Sequence, residues 1–419
     1  MCRLLVSSRL GPLAIGAAVA AGAGAGTPGG KYEALFKTPW NGESGLVHLE
    51  HVNVNIPRHD PAKRFYFHFL GFSPDTRRAQ NIGKGSGTMW ANMGTTQIHL
   101  PEGDPQVVPG TIGLIYDPSD LTEVFSRLRG AKDETGLDRS GEVTVNALEG
   151  TKFAWRESGS EEGKDDAAAA TTLEVTCPYG RLVRADRALV SNRRYSGGAR
   201  IVMTRNVFNL HTRTSVMSAL DPRGGRLPNT PSAEHRPLGL GIGYLSLRVK
   251  PGTSGGIARF YREIFDSEVE EIGDGSGGRD RSCPTAEEGE TGAGTSWHAN
   301  EGAAKGAVVR VGPVQYLAFM EGEEALPEEY DGHHICVYLT EEGGFRRSFI
   351  LAEKRGLVFV NPRRNFGKAD TLEKALEEKQ FRIKNMVDPS SGDLLHVLEH
   401  EVRSVTHPSY PVGRDLSAE

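Results

Sequence analysis

Cysteine is scarce in this sequence of 419 residues, and its distribution argues against a disulfide-based fold. The four cysteines, Cys2, Cys177, Cys283 and Cys336, are scattered and form no CxxC pair. Scattered, unpaired cysteines are typical of proteins kept in a reducing compartment. We interpret them as reduced thiols of an intracellular protein. A secreted protein with one disulfide is the alternative.

A strong charge of either sign is also missing. The net charge of −5 and the isoelectric point near 6.3 give no reason to expect a nucleic acid or an anionic membrane as partner. The apolar part of residues 1–30 is too broken by glycine to predict a membrane span. This segment contains Arg3 and Arg9 but no acidic residue, which is typical of a transit peptide or a secretory signal. We expect an intracellular protein, located in a mitochondrion or plastid if the segment is a transit peptide; a disordered start is the alternative.

The most regular pattern in the chain lies in Gly45–Phe72, where a strand leads into a helix. Residues of Leu49–Ile56 alternate between apolar and polar, with valines on one face and His51 on the other, which predicts a strand. Asp60, followed by a proline, predicts the start of a helix, and Gly71 predicts its end. We therefore expect His51 to project from the strand face opposite the valines.

The same pattern returns in the second half of the chain. Gly243–Val249 predicts a strand and Ile257–Phe265 predicts a helix, whose ARFYREIF resembles AKRFYFHF in the first helix. Two weaker occurrences begin at Gly110 and Gly332. We interpret these as four units, each with one helix followed by several closely spaced strands. This order predicts the α+β class, with largely antiparallel curved sheets, rather than a parallel α/β sheet.

The chain is long enough for two or three domains, and its composition predicts where they end. Residues 1–44 form the N-terminal segment, and residues 45–192 form a domain of units one and two. Residues 193–237, rich in Arg, Ser, Pro and Gly, are interpreted as a linker. Residues 238–405 form a domain of units three and four, and residues 406–419 form a C-terminal tail.

Four stretches together resemble the vicinal oxygen chelate superfamily, which includes glyoxalases, bleomycin-resistance proteins and extradiol dioxygenases. They are LEHVNVNIP with AKRFYFHFLGF, GYLSLRV with ARFYREIF, GHHICVYL, and DPSSGDLLHVLEHE. The resemblance covers residues 47–403 apart from the insertions and the linker. It implies βαβββ units that pair into half-open barrels, two glyoxalase-like domains in all. It also implies a metal ion whose ligands come from the first and fourth strands of the contributing units.

The resemblance assigns ligand positions one by one. In units one and four these positions are all histidine: His51, His99, His334 and His396. In units two and three they are not: Thr111, Arg184, Tyr244 and a residue near Ala318. If unit one pairs with unit four, the four histidines converge on one metal ion. Units two and three would then enclose a second cavity without metal ligands, in which Arg184 and Tyr244 could bind an anion.

The histidine set predicts one divalent metal ion, with Zn, Fe, Ni, Co and Mn all open. One feature departs from the family, because its glyoxalases and extradiol dioxygenases carry a carboxylate at a fourth-strand position. Glu399 follows His396 by three residues, so strand alternation is expected to place it on the opposite face. No general base or other catalytic residue is predicted.

These features predict a metal-dependent enzyme that binds a small oxygenated substrate at one metal between units one and four. Glyoxalase-like lyase or isomerase chemistry and dioxygenase chemistry both stay open. One alternative is a non-catalytic small-ligand-binding protein of the bleomycin-resistance type, and another is a scaffold whose histidines only pack. A small-molecule substrate is the expected partner, with no nucleic acid and no membrane, and the chain is expected to be a monomer.

Overall fold

The structure is a computed structural model, and its described residues are 45–75, 78–82, 87–106, 108–116, 118–130, 143–148, 151–158, 172–176, 200–205, 238–273, 305–312, 314–322, 330–340, 342–362 and 369–410. The predicted N-terminal targeting segment and Arg184 lie outside these residues.

Strands are the commonest regular element of the described chain. In chain order they are β1 (Leu46–Asn53), β2 (Ser73–Pro74), β3 (Thr88–Met93), β4 (Thr96–Pro101), β5 (Gly110–Tyr116), β6 (Val143–Leu148), β7 (Thr151–Ser158), β8 (Thr172–Thr176), β9 (Arg200–Arg205), β10 (Gly239–Val249), β11 (Val269–Ile272), β12 (Gly306–Gly312), β13 (Gln315–Glu321), β14 (His334–Leu339), β15 (Gln380–Val387) and β16 (Leu394–Ser404). The helices are α1 (His59–Ala62), which continues as a wider π-helical segment over Lys63–Phe69, α2 (Pro118–Gly130), α3 (Ser254–Phe265), α4 (Glu342–Lys354) and α5 (Leu372–Glu378), with a 3-10 turn at Ala79–Asn81. None of the described helices has the length and apolar character needed to cross a membrane.

Two mixed sheets organise the fold. The first has seven strands in the order β15-β16-β14-β1-β4-β3-β2, and the second has nine in the order β11-β12-β13-β10-β5-β9-β8-β7-β6. The predicted α+β class is confirmed. The first sheet joins strands from the two ends of the chain, because β1 and β14 pair antiparallel at its centre. In the second sheet β5 and β10 pair in the same way.

The two sheets share an apolar core. It contains Val52 and Ile98 of the first sheet together with Leu245 and Leu317 of the second. Helix α3 lies in this core, where the Tyr261 hydroxyl is 2.6 Å from the Nε2 atom of His400 on β16. Because apolar burial is the dominant favourable term in folding, this shared core holds the first sheet against the second.

The first helix differs from its predicted form at one end. It begins at His59 rather than after Asp60, and the N-cap residue Arg58 makes no capping hydrogen bond through its side chain. Asp60 lies inside the first turn, where its carboxylate pairs with Lys63 at 2.7 Å. The predicted end is confirmed, because Gly71 has a φ of +71°, in the left-handed region that favours glycine.

Larger differences lie near the C-terminus. The residues Leu394–Leu398, after the turn at Asp388–Asp393, predict a last strand that ends at Leu398, but β16 continues to Ser404. The apolar residues Leu357–Val360 predict a short strand, but only a single bridge occurs there, at Val358. No pattern predicts strand β15 or helix α5. Strand β9 falls in the segment interpreted as a linker and pairs with β5 in parallel.

Candidate metal centre

The centre of the first sheet brings three predicted ligands onto one face. Antiparallel pairing of β1 and β14 sets His51 opposite Cys336 and Asn53 opposite His334. Parallel pairing of β1 and β4 sets Asn53 beside His99. Side chains two residues apart along a strand share a face, so His51, His99 and His334 converge where the three strands meet.

The fourth strand of this arrangement contributes a carboxylate rather than a histidine. Strand β16 runs parallel to β14 and sets Glu399 beside His334 and Glu401 beside Cys336. The Nε2 atom of His334 is 3.7 Å from a carboxylate oxygen of Glu401. Ligand atoms of His51, His334 and Glu401 all lie within 4.8 Å of one another, and all three side chains are buried. Two imidazoles and one carboxylate are a donor set that divalent transition metals favour.

His99 lies beside this group. Its ring stacks on His51, with centroids 3.8 Å apart, and on its other side stacks on Trp90 at 4.3 Å. Its Nε2 atom is 2.7 Å from the side-chain oxygen of Gln97. The structure therefore places His99 against one face of the His51 ring, where it restricts how that ring can rotate.

A network of buried ion pairs surrounds the candidate ligands. Arg382 donates to both Glu399 and Glu401, and Arg403 donates to Glu401 and, at 2.6 Å, to Glu50. Three carboxylates and two guanidinium groups leave this group one negative charge in excess. A buried charge is costly unless it is paired. A divalent cation at the neighbouring histidines would complete the pairing.

The neighbouring arginines keep the buried carboxylates ionised. Burial acts to raise the pKa of Glu50, but Arg403 together with His51 and Cys336 outweighs it and lowers that pKa to about 2. Burial likewise opposes ionisation of Glu401, and Arg382 and Arg403 together hold its pKa well below the usual range. Both groups are therefore carboxylates at neutral pH and available as acceptors or ligands.

Burial keeps His51 and His99 neutral. Burial lowers the pKa of His51, although Glu50 acts in the opposite direction. Burial, reinforced by the neighbouring His51, holds the pKa of His99 well below its usual range. Neutral imidazole is the form that binds metal ions, so the local environment suits ligation.

An unpaired nitrogen supports this fit. The Nδ1 atom of His51 is 3.2 Å from a carboxylate oxygen of Glu50, whereas its Nε2 atom is buried and has no hydrogen-bond partner among the described residues. A buried polar atom without a partner calls for an explanation, and a metal ligand with an available lone pair is one. The residues present therefore fit a divalent metal ion.

The structure places the fourth predicted ligand, His396, outside this group. It precedes by three residues the position that pairs with His334, a distance of about 10 Å along a strand. It pairs with Met386, and its ring centroid is 6.4 Å from that of Phe319 in the second sheet. Because β16 continues past Leu398, Glu399 and Glu401 rather than His396 lie beside β14.

The corresponding region of the second sheet presents mainly aromatic and aliphatic side chains. Tyr244, Val308, Tyr316, Ala318 and Met320 form a cluster of their own on this sheet. Thr111, a predicted counterpart of the ligands, is buried and pairs with Ser246. The described part of this sheet thus presents aromatic and aliphatic groups where the first sheet presents histidines and carboxylates.

The sequence reasoning missed four residues of this centre: Glu50, Glu401, Arg382 and Arg403. For two of them a signal was available. Glu399, Glu401 and Arg403 continue the period-two alternation of Leu394–Leu398, which predicts a longer strand. Arg382 lies on a strand that was not predicted, and no local pattern indicates that Glu50 shares a face with His51.

Comparisons with known proteins give structural likenesses only. No protein-family model matches the sequence, and no curated protein matches it. Among solved structures, the chain is similar to a putative dioxygenase from Bacillus subtilis at 11% identity, covering 86% of each chain with a TM-score of 0.41. It is similar to glyoxalase I from Zea mays at 10% identity, covering 85% of this chain and 92% of that one, with a TM-score of 0.39. A 2,3-dioxygenase from Pseudomonas sp. KL28 is 13% identical, with 86% and 93% covered and a TM-score of 0.24.

Proposed function

We propose that this protein is a metal-dependent enzyme whose divalent metal ion is held by His51, His334 and Glu401. The observation that carries the proposal is the convergence of their ligand atoms, within 4.8 Å of one another, on a buried face. Ligand atoms bound to one metal at about 2.1 Å lie about 3–3.5 Å apart, so small side-chain adjustments suffice. His396, expected in this set from the sequence, is left out because it lies elsewhere.

The substrate is proposed to be a small molecule with one or two oxygen atoms that reach the metal. A divalent metal ion bound there would supply Lewis acidity to a substrate oxygen. The ion-paired group around it carries one excess negative charge, so a divalent ion would leave the centre with a positive charge. The site would then favour an anionic or readily ionised oxygen.

His99 is proposed to fix the orientation of His51 at the metal. Its ring lies against the His51 ring, and stacking on Trp90 holds it there. Burial and the neighbouring His51 hold the pKa of His99 well below its usual range, so it stays neutral and acts by packing rather than by accepting a proton. A His99→Gln variant is expected to weaken metal binding less than His334→Ala, because His99 is not one of the ligands, and Zn²⁺ titration of both variants measures this.

The donor set leaves two reaction types open. Two histidines and one carboxylate with free positions suit ferrous oxygenases, and the same donors can hold zinc, nickel or cobalt for lyase or isomerase chemistry. Oxygen uptake separates them, since an iron-loaded dioxygenase consumes oxygen when given a catechol. A lyase or isomerase does not.

One observation favours a second candidate function. Both carboxylate oxygens of Glu401 already accept hydrogen bonds from guanidinium groups, one from Arg382 and one from Arg403. Such pairing could stand in place of a metal. The protein would then bind a small ligand without transforming it.

Metal binding decides between these functions. The full chain would be stripped with a chelator and titrated with Zn²⁺ and Co²⁺, with binding followed by calorimetry and by the Co²⁺ absorption spectrum. We expect one ion per chain in the wild type. His334→Ala should weaken binding at least about 100-fold, because even partners outside the ligand set are worth about 10–100-fold. Tyr244→Ala, in the second sheet, is the control and should bind normally; a wild-type protein that binds neither ion contradicts the proposal.

A further inference from the structure

We infer that Glu50 is a positioning residue that orients His51 for metal binding, and that an irregularity in β1 exists to bring it there. This inference rests on the proposed metal centre and goes beyond it, because Glu50 is not one of the ligands. It concerns which nitrogen of His51 carries the proton. It also explains why two consecutive residues of one strand face the same site.

Consecutive residues of a regular strand point to opposite faces, so Glu50 and His51 should not meet. The register of β1 against β14 shows how they do. Leu49 pairs with Val337 and His51 pairs with Cys336, so two steps along β1 match one step along β14. Glu50 is therefore the extra residue of a β-bulge. Bulges re-aim side chains and are over-represented next to active sites.

The second sheet supports this bulge. The side chain of Gln315, on β13, is fully buried and bonds both backbone groups of the residue before the bulge. Its oxygen accepts from the Leu49 N–H at 3.0 Å, and its amide donates to the Leu49 carbonyl at 3.0 Å and to the Ile242 carbonyl at 2.9 Å. Strand β4 pairs with β1 only from His51 onward, so Gln315 provides the partners that a neighbouring strand would otherwise give.

The chemistry of the Glu50 carboxylate sets the tautomer of His51. Arg403 donates to Glu50 at 2.6 Å and fixes it as a carboxylate, which can only accept hydrogen bonds. The contact of 3.2 Å between Glu50 and the Nδ1 atom of His51 therefore requires a proton on Nδ1. In neutral imidazole this leaves the lone pair on Nε2, the buried atom without a partner.

The opposite tautomer would be unfavourable in two ways. The Nδ1 lone pair would face a carboxylate, and a buried Nε2–H would have no acceptor among the described residues. Carboxylates commonly accept from the second nitrogen of a metal-ligating histidine, where they fix the ring and strengthen its donor atom. In this protein Glu50 would be the carboxylate that accepts from Nδ1 of His51, leaving Nε2 for the metal.

The tautomer can be measured before any metal is added. Nitrogen-15 NMR of the chelator-treated full chain, labelled at histidine, distinguishes a protonated Nδ1 from a protonated Nε2. His51 would be assigned by comparison with the His51→Gln variant. We expect His51 to carry its proton on Nδ1 in the wild type and to become a mixture of tautomers in Glu50→Gln. A wild-type His51 protonated on Nε2 overturns the inference whether or not the protein binds metal.

Zn²⁺ titration tests the consequence for the metal. Glu50→Gln is expected to weaken binding about 10–100-fold. Glu102→Gln is the matched control, because Glu102 also contacts a buried histidine, His59, whose Nε2 atom is 2.9 Å from the Leu100 carbonyl rather than in the centre. Equal affinity of Glu50→Gln and wild type would overturn the inference while leaving the metal centre intact. If the wild type did not bind Zn²⁺, that result would instead contradict the proposed function.

Discussion

The two sheets of this protein are built on the same plan and present opposite chemistry at their centres. In each, two antiparallel central strands are flanked by strands that run parallel to them: β4 and β16 in the first sheet, β9 and β13 in the second. The first sheet buries histidines, glutamates and arginines at this position. The second buries two tyrosines among aliphatic side chains. The comparison shows that the architecture does not dictate a site, and that side chains on four strands decide whether there is one.

The cost of burial explains why the first sheet needs so many connected polar groups. One buried carboxylate would be unstable, so each glutamate there meets at least one arginine. At the centre of the second sheet, the ring of Tyr244 fills the space that polar groups occupy in the first sheet. A Cβ atom at Gly113 would lie 2.0 Å from the ring of Tyr244, so this ring takes the space that a side chain on β5 would need. The centre of such a sheet can therefore be stabilised by a network of ion pairs or filled by a large aromatic side chain.

The largest effect is expected from breaking the polar network. Arg382→Met leaves Glu399 and Glu401 short of a buried partner, and we expect it to lower the free energy of unfolding by about 3–5 kcal/mol. The matched change is Arg262→Met on α3, whose pair with Glu271 on β11 is largely exposed and should cost about 0–1 kcal/mol. Urea unfolding measures both. Similar values for the two variants would show that the network is no more important than a surface pair.

A smaller effect is expected from overfilling the second sheet. Gly113→Ala forces the new methyl group against Tyr244 and should destabilise the protein by about 1–3 kcal/mol. Gly255→Ala on α3 is the control, because its nearest neighbour would be 3.5 Å away, an ordinary contact. That substitution should be neutral or stabilising, since alanine favours a helix. Thermal unfolding of both variants checks this, and a stable Gly113→Ala would mean that Tyr244 does not occupy the space above β5.

The smallest effect is expected from lowering the pH, which should reduce the stability of the protein through a buried histidine of the first sheet. Burial lowers the pKa of His400 to about 4, while an unfolded histidine titrates near 6.5. Between these values the unfolded chain binds a proton that the folded protein does not, so stability falls as the pH decreases from 6.5 towards 4. For one histidine with these two pKa values, the free energy of unfolding falls by about 1 kcal/mol between neutral pH and pH 5.5.

The His400→Gln variant isolates this contribution. Its loss of stability between pH 7.5 and pH 5.5 should be smaller than that of the wild type by about 1 kcal/mol, as measured by urea unfolding at both values. Among the described residues, strands β5 to β13 and helices α2 and α3 contain no histidine. In the folded protein the Tyr261 hydroxyl lies 2.6 Å from Nε2 of neutral His400. If the variant and the wild type lost the same stability on acidification, protonation of His400 would not contribute to unfolding in acid.

Much of the fold could be predicted because it follows local periodicity. Alternating apolar residues marked β1, β5, β10 and β14, and the Phe-Tyr helices marked α1 and α3, within a few residues. Two of the four predicted ligands, His51 and His334, lie on such strands, and His99 meets them from β4. Strand β15 could not be recognised, since Gln380–Val387 contains Arg382 and Lys384 and resembles an exposed segment. Its burial depends on glutamates that come later in the chain.

The remaining part of the site depends on register, which local patterns do not encode. His396 lies away from the other three histidines because β16 continues past Leu398, and a shift along a strand changes which residues meet its neighbour. Glu50 was missed because a bulge is defined only by the pairing of two strands distant in sequence. Both features are set by tertiary contacts, and both alter the chemistry of the site.

The most direct test of the difference between the sheets is anomalous diffraction from crystals of the full chain prepared with Zn²⁺, recorded at the zinc absorption edge. The account predicts one peak in the first sheet, about 2.0–2.2 Å from Nε2 of His51, Nε2 of His334 and a carboxylate oxygen of Glu401, and none at Tyr244. The absence of a peak at these three residues, or a peak at His396 instead, would contradict the proposed metal centre.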